Sequence, residues 1–218
     1  MESIRNPVVY AALGDSMSID DYAGGPGRGA ASLLWRNRDR DFPAWAGRDL
    51  TTRDPTARLA LLASDGATST TVAGEQLGRL RRLQRTPTLA TVTMGGNDLL
   101  AAYGDTTAAR RAIAAVVDNG RLVLASLRTL MGAQAPIVVA TVYDPSDGSG
   151  DAGRLGLPPW PAALELLTEL NRRCGRWPRT TRRWWLMCMP ASSATAWPPG
   201  IPPSRLRTLL TVTCGTAI

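Results

Sequence analysis

Three apolar runs in this chain each stop at a small, polar, turn-prone stretch, and that repetition limits the fold more than any other feature. Residues 8–13 (Val-Val-Tyr-Ala-Ala-Leu) end at Gly14-Asp15-Ser16. Residues 59–62 end at Ala63-Ser64-Asp65-Gly66-Ala67-Thr68-Ser69, and residues 89–94 end at Gly95-Gly96-Asn97-Asp98. Short continuous apolar runs bounded by such loops read as strands covered on both faces, as in a parallel sheet. In open sheets of that kind, ligands sit beyond the carboxyl ends of the strands, where these loops lie. Taken alone, Asp15 or Ser16 could equally be a cap on a following helix.

Between the strands the text turns helical. A helix is expected to begin near Ala30, after the glycine-rich residues 24–29, which match neither a dinucleotide fingerprint nor a P-loop. Residues 71–83 place Val72, Leu77, Leu80 and Leu83 among arginines, an amphipathic helix. Residues 107–131 are the longest helical pattern, interrupted by Gly120 at a cost of about 1 kcal/mol against Ala. Residues 137–142 form a fourth apolar run, and residues 162–171 start another helix with Leu164, Leu167 and Leu170 along one side. Strands alternating with helices imply a parallel sheet with helices on both faces.

The three loops offer, in order, a hydroxyl, a glycine amide and a side-chain amide: a nucleophile and two donors for an oxyanion. With Gly14-Asp15-Ser16 first, Gly66 second and Gly95-Gly96-Asn97-Asp98 third, residues 7–171 resemble the GDSL or SGNH hydrolase family of lipases and esterases. The resemblance implies an α/β fold, a flavodoxin-like three-layer α/β/α sandwich with five parallel strands. It implies hydrolysis of a small-molecule carboxylic ester with Ser16 as nucleophile and Gly66 and Asn97 in the oxyanion hole. Asp15, Gly96 and Asp98 are expected to meet substrate. No cofactor and no metal are implied.

At Arg172 the character changes. Eight of the 25 arginines, none of the 18 acids, all three cysteines and four of the seven tryptophans lie beyond Asn171. The remaining 17 arginines against 18 acids leave residues 1–171 near neutrality, so the overall charge of +7 does not mark the body as a nucleic-acid binder. The reading is a domain over 1–171 and a tail over 172–218 that is out of frame and irregular, with the last strand and helix of the sandwich missing. Trp184-Trp185-Leu186-Met187-Cys188-Met189, shifted by one base, permits Val-Val-Ala-Asp-Val-His, which would restore an apolar strand and an Asp-x-His pair. The family completes its site with an Asp and a His near the C-terminus, yet this chain contains no histidine and no lysine. Asp98 and Asp144 are the carboxylates left to serve as a base. An alternative reading is a non-catalytic protein whose basic tail binds nucleic acid or an anionic surface. The cysteine spacing fits no metal motif. With neither a membrane span nor a signal peptide in the text, a cytoplasmic setting is expected.

Overall fold

The structure is a computed structural model that describes residues 7–146, 149, 153 and 156–177, and the backbone of Trp184–Met187. Five parallel strands, β1 (Val9–Leu13), β2 (Arg58–Leu61), β3 (Leu89–Val92), β4 (Ile137–Ala140) and β5 (Trp184–Met187), stand in the order β2-β1-β3-β4-β5. That is the flavodoxin-like order, with its switch point between β1 and β3. The first three loops of the sequence therefore all open onto one edge of the sheet, around its centre.

The helices are α1 (Ala30–Trp35), α2 (Leu50–Arg53), α3 (Ser69–Thr71), α4 (Leu77–Arg81), α5 (Gly96–Ala101), α6 (Thr106–Met131) and α7 (Ala163–Cys174). Alternation along β1 divides them between two faces. Ala11 and Leu13 join the larger core, with Ile113, Val116 and Leu127 of α6 and Leu166 and Leu170 of α7. Tyr10 and Ala12 face the smaller core, closed by Ala31 and Trp35 of α1 and Leu50 of α2. Every residue of β1 is buried, as the central strand of a three-layer sandwich requires. Asp105 caps α6, accepting the Thr107 and Ala108 amides at 2.9 Å.

The C-terminal boundary differs from the sequence reading. A fifth strand is present: Ile137 pairs with Trp184 and Ala140 with Met187 in parallel register. The backbone pairing of residues 184–187 occupies the β4 edge that would otherwise expose unpaired amides and carbonyls. Helix α7 also runs through Asn171 to Cys174, and Cys174 and Trp177 are buried in the larger core. The packed unit thus extends past Asn171. The expected missing last helix, the irregular remainder of the tail and the His position at 189 lie outside the described residues, while the Asp position falls at Met187, the last residue of β5. A second difference is the stripe on α7. Leu166, Leu170 and Cys174, four apart, face the core, while Leu164 is 36% exposed.

Trp177 also explains Gly120. Its indole Nε1 donates to the Val117 carbonyl at 3.1 Å, and its ring lies against the bare Cα of Gly120. A Cβ there would collide with the Trp177 ring and crowd the end of Met94. Gly120→Ala should therefore destabilise the fold by about 1–3 kcal/mol through overpacking, although Ala is the better helix former by about 1 kcal/mol. In the Trp177→Leu background the same substitution should be neutral or stabilising. Urea denaturation of the four chains reads the coupling, and additive effects would show that Trp177 does not pack on α6.

Candidate active site

The site begins where β1 ends. Gly14 adopts φ +129°, and a Cβ on it would strike the Thr93 backbone, so β1 and the chain after β3 approach too closely for any side chain at this position. The Gly14 amide donates to Gln76 Oε1 at 2.7 Å, and Gln76 Nε2 donates back to the Gly14 carbonyl at 2.8 Å. Gln76 is fully buried. It ends a wide helical turn, Val72–Gln76, that joins α3 to α4, and such π-type turns often aim one side chain at a special task.

Asp15 fixes the next step. Its amide donates to Thr93 Oγ1 at 3.1 Å, and the Thr93 hydroxyl donates to Asp15 Oδ1 at 2.8 Å. The Met17 amide also donates to Asp15 Oδ1, at 3.1 Å. The carboxylate thus closes a small turn around Ser16. Burial pushes the Asp15 carboxyl above its ordinary range; the Thr93 and Met17 donors oppose that, and the charge of Asp98 adds to it. Asp15 borders the cleft, as expected of a substrate-facing residue, but its donors assign it to holding the Ser16 turn.

The third loop starts at Gly95, with φ +105°, and leads into α5, whose first two residues are Gly96 and Asn97. Asn97 Nδ2 donates to the Ala67 carbonyl at 3.0 Å, which ties α5 to the second loop. A side-chain amide has a second N–H to offer. Asp98 departs from expectation. It does not line the cleft; its carboxylate accepts the Ser69 amide at 2.9 Å and the Ser69 hydroxyl at 2.6 Å, so it anchors the start of α3.

Ser16, Gly96 and Asn97 line one cleft of about 200 Å³. Gly66 does not line it; at φ +66° it turns the second loop just ahead of Ala67, the residue that holds Asn97. Asp144 borders the same cleft and accepts the Ser146 amide at 2.8 Å and hydroxyl at 2.6 Å. The sequence reading missed the supports. Gln76 lies four residues from both Val72 and Leu80 on a buried stripe, and a polar residue at such a position is a visible signal. Asn171, which the sequence marks only as the last residue of the body, accepts the Val142 amide at 2.9 Å through its side chain and donates to the Val142 carbonyl at 2.8 Å, fixing the loop that carries Asp144. Among the described residues no three His, Cys, Asp or Glu side chains gather into a cation-binding group.

The sequence matches no protein-family model and no curated protein sequence. The structure is similar to AlinE4, an SGNH-hydrolase family esterase, at 18% identity, TM-score 0.52, over 97% of this chain and 95% of that one. It is also similar to a catalytic mutant of Axe2, an acetylxylan esterase from Geobacillus stearothermophilus, at 12% identity and TM-score 0.53, over 82% and 75% of the two chains. The fold of this chain is therefore the one SGNH-hydrolase esterases use, at low sequence identity.

Two outcomes follow. Gln76→Leu strands the buried Gly14 amide, while the Gly14 carbonyl keeps the Ser64 amide at 3.1 Å; the substitution should cost about 1–3 kcal/mol in urea denaturation. Asp15 is linked to pH with a definite sign. With its folded value raised above the ordinary 3.8, its contribution to stability is complete below about pH 4 and is lost as pH rises through the raised value. The difference in stability between the chain and Asp15→Asn, followed by denaturation from pH 3 upward, should change in that direction. A difference that stays flat would contradict a buried, titrating Asp15.

Proposed function

We propose that this chain is built as a serine hydrolase of carboxylic esters, and that the missing histidine impairs it. Support for the reading comes chiefly from one observation: a serine and an asparagine, from turns that follow neighbouring central strands, border a single cleft at the switch point of a sheet that SGNH-hydrolase esterases share. In this proposal Ser16 Oγ attacks the ester carbonyl. The oxyanion takes hydrogen bonds from the Ser16 amide and from Asn97 Nδ2, with Gly66 serving only to turn the loop that holds Asn97. Loss of one such donor typically costs about 10²–10³ in rate.

The weak point is the proton. A neutral serine hydroxyl is a poor nucleophile until a base accepts its proton, and no imidazole or lysine exists in the chain. Asp144, at the cleft but already accepting two hydrogen bonds from Ser146, is the remaining candidate. The cytoplasmic setting belongs to the same proposal; Cys174 is a free, buried thiol, pushed up to about 12 by burial, which a reducing compartment would preserve. Among the described residues no helix is long and apolar enough to cross a membrane.

On a short-chain chromogenic ester the expected turnover is about 10³–10⁴ over the water reaction, the residue left to a hydrolase without its triad, against 10⁶ and above for intact enzymes. Asn97→Ala should remove most of that residue, and Ser16→Ala should change it little. Turnover at ordinary enzyme rates that Ser16→Ala abolishes would show that another group serves Ser16 as base.

A further inference from the structure

The cleft has more apolar wall than the chemistry at its polar end requires. The polar groups come from strand-end loops: Ser16 after β1, Asn97 at the start of α5 and Asp144 after β4. The rest of the lining is largely apolar and includes Leu100 of α5, Trp160, and Ala163, Leu164 and Leu167 of α7. Two of these leucines have no part in the core. Leu100 is 52% exposed and Leu164 is 36% exposed, although each sits on a helix whose neighbours reach the larger core. Of the Leu164, Leu167 and Leu170 stripe that the sequence displays on α7, only Leu170 is therefore a core residue. Packing on that helix is carried by Leu166, Leu170 and Cys174, and Leu164 and Leu167 line the cleft together with Leu166.

The wall is also held in place. Tyr103 and Trp160 meet edge to face, with centroids 4.8 Å apart at 65°. The Tyr103 hydroxyl donates to the Pro158 carbonyl at 2.8 Å, which pins the segment entering α7 against the end of α5. An apolar cavity of about 150 Å³ accommodates a ring of six carbons. A cleft of about 200 Å³ accommodates about eight non-hydrogen atoms, those of the ester group at Ser16 and Asn97 included.

The geometry points to an ester that carries one unbranched apolar arm of about five carbons, laid between α5 and α7 with its carbonyl at Ser16 and Asn97. This rests on the hydrolase reading for the carbonyl end only; the arm is assigned by the wall. A bare acetyl ester of a polar alcohol would leave the wall wetted and Leu100 and Leu164 without a partner.

The test is run on the Ser16→Ala chain, which cannot be acylated, so binding is read apart from turnover. Methyl acetate, methyl butyrate and methyl hexanoate are titrated by ligand-observed NMR. Each added methylene should tighten binding about fourfold. Ala163→Phe, which fills the middle of the wall, should flatten that gradient. Leu100→Asp, on the exposed rim, should weaken methyl hexanoate by more than methyl acetate, and it serves where Ala163→Phe does not fold. Pentyl acetate and methyl hexanoate are isomers, and the tighter of the two shows whether the arm is the alcohol or the acyl side. Equal affinity along the series, or a gradient that survives in both folded variants, would overturn the assignment. The gradient together with residual ester turnover that Asn97→Ala removes supports both readings; a gradient in a chain whose turnover never rises above the water reaction would leave the arm assigned and remove the hydrolase.

Discussion

The site depends on one close approach, that of Gly14 to Thr93. There β1 and the chain after β3 come together so tightly that no side chain fits, and the peptide groups of Gly14 lose access to water. Gln76 supplies the missing hydrogen bonds, donor for carbonyl and acceptor for amide. Without that grip the buried Gly14 amide would be orphaned, the carbonyl keeping only the Ser64 amide at 3.1 Å. The same junction fixes Asp15 through Thr93, so the position of Ser16 follows from the sheet's own packing rather than from a flexible loop.

A second amide repeats the device at β4. Asn171 reads Val142 as an adjoining strand would, through one N–H and one carbonyl, and the loop beyond it brings Asp144 to the cleft. Asn97 is the third, tying α5 to Ala67. Three side-chain amides thus hold three strand-end loops in a fixed relation. Neutral amides suit this work because they satisfy a peptide group's donor and acceptor together without placing a charge in the core.

Much of this was legible. The four apolar runs became β1 to β4 because a doubly covered strand needs continuous apolar text, and Gly14, Gly66 and Gly95 take the positive φ that their loops need. What escaped was set by tertiary context. Trp184–Met187 is apolar enough for a strand, but its arginine-rich surroundings carry no period that announces one. Gly120 reads as a defect until Trp177, 57 residues later in the chain, is seen against it. Leu164 and Leu167 look like a core stripe because helical spacing cannot tell a core from a cleft. Asp98 matches the third block by identity, yet its carboxylate is committed to Ser69.

The central claim is that Ser16 is a positioned nucleophile lacking only a base. Supplying that base from solution tests it most directly: ester hydrolysis is followed with increasing imidazole, for the chain and for Ser16→Ala, after subtracting imidazole's own reaction. The expected result is a saturable, imidazole-dependent rate in the chain that Ser16→Ala lacks, since only a neutral hydroxyl already in place can be activated by an added general base. Identical imidazole dependence in the two chains would contradict the claim.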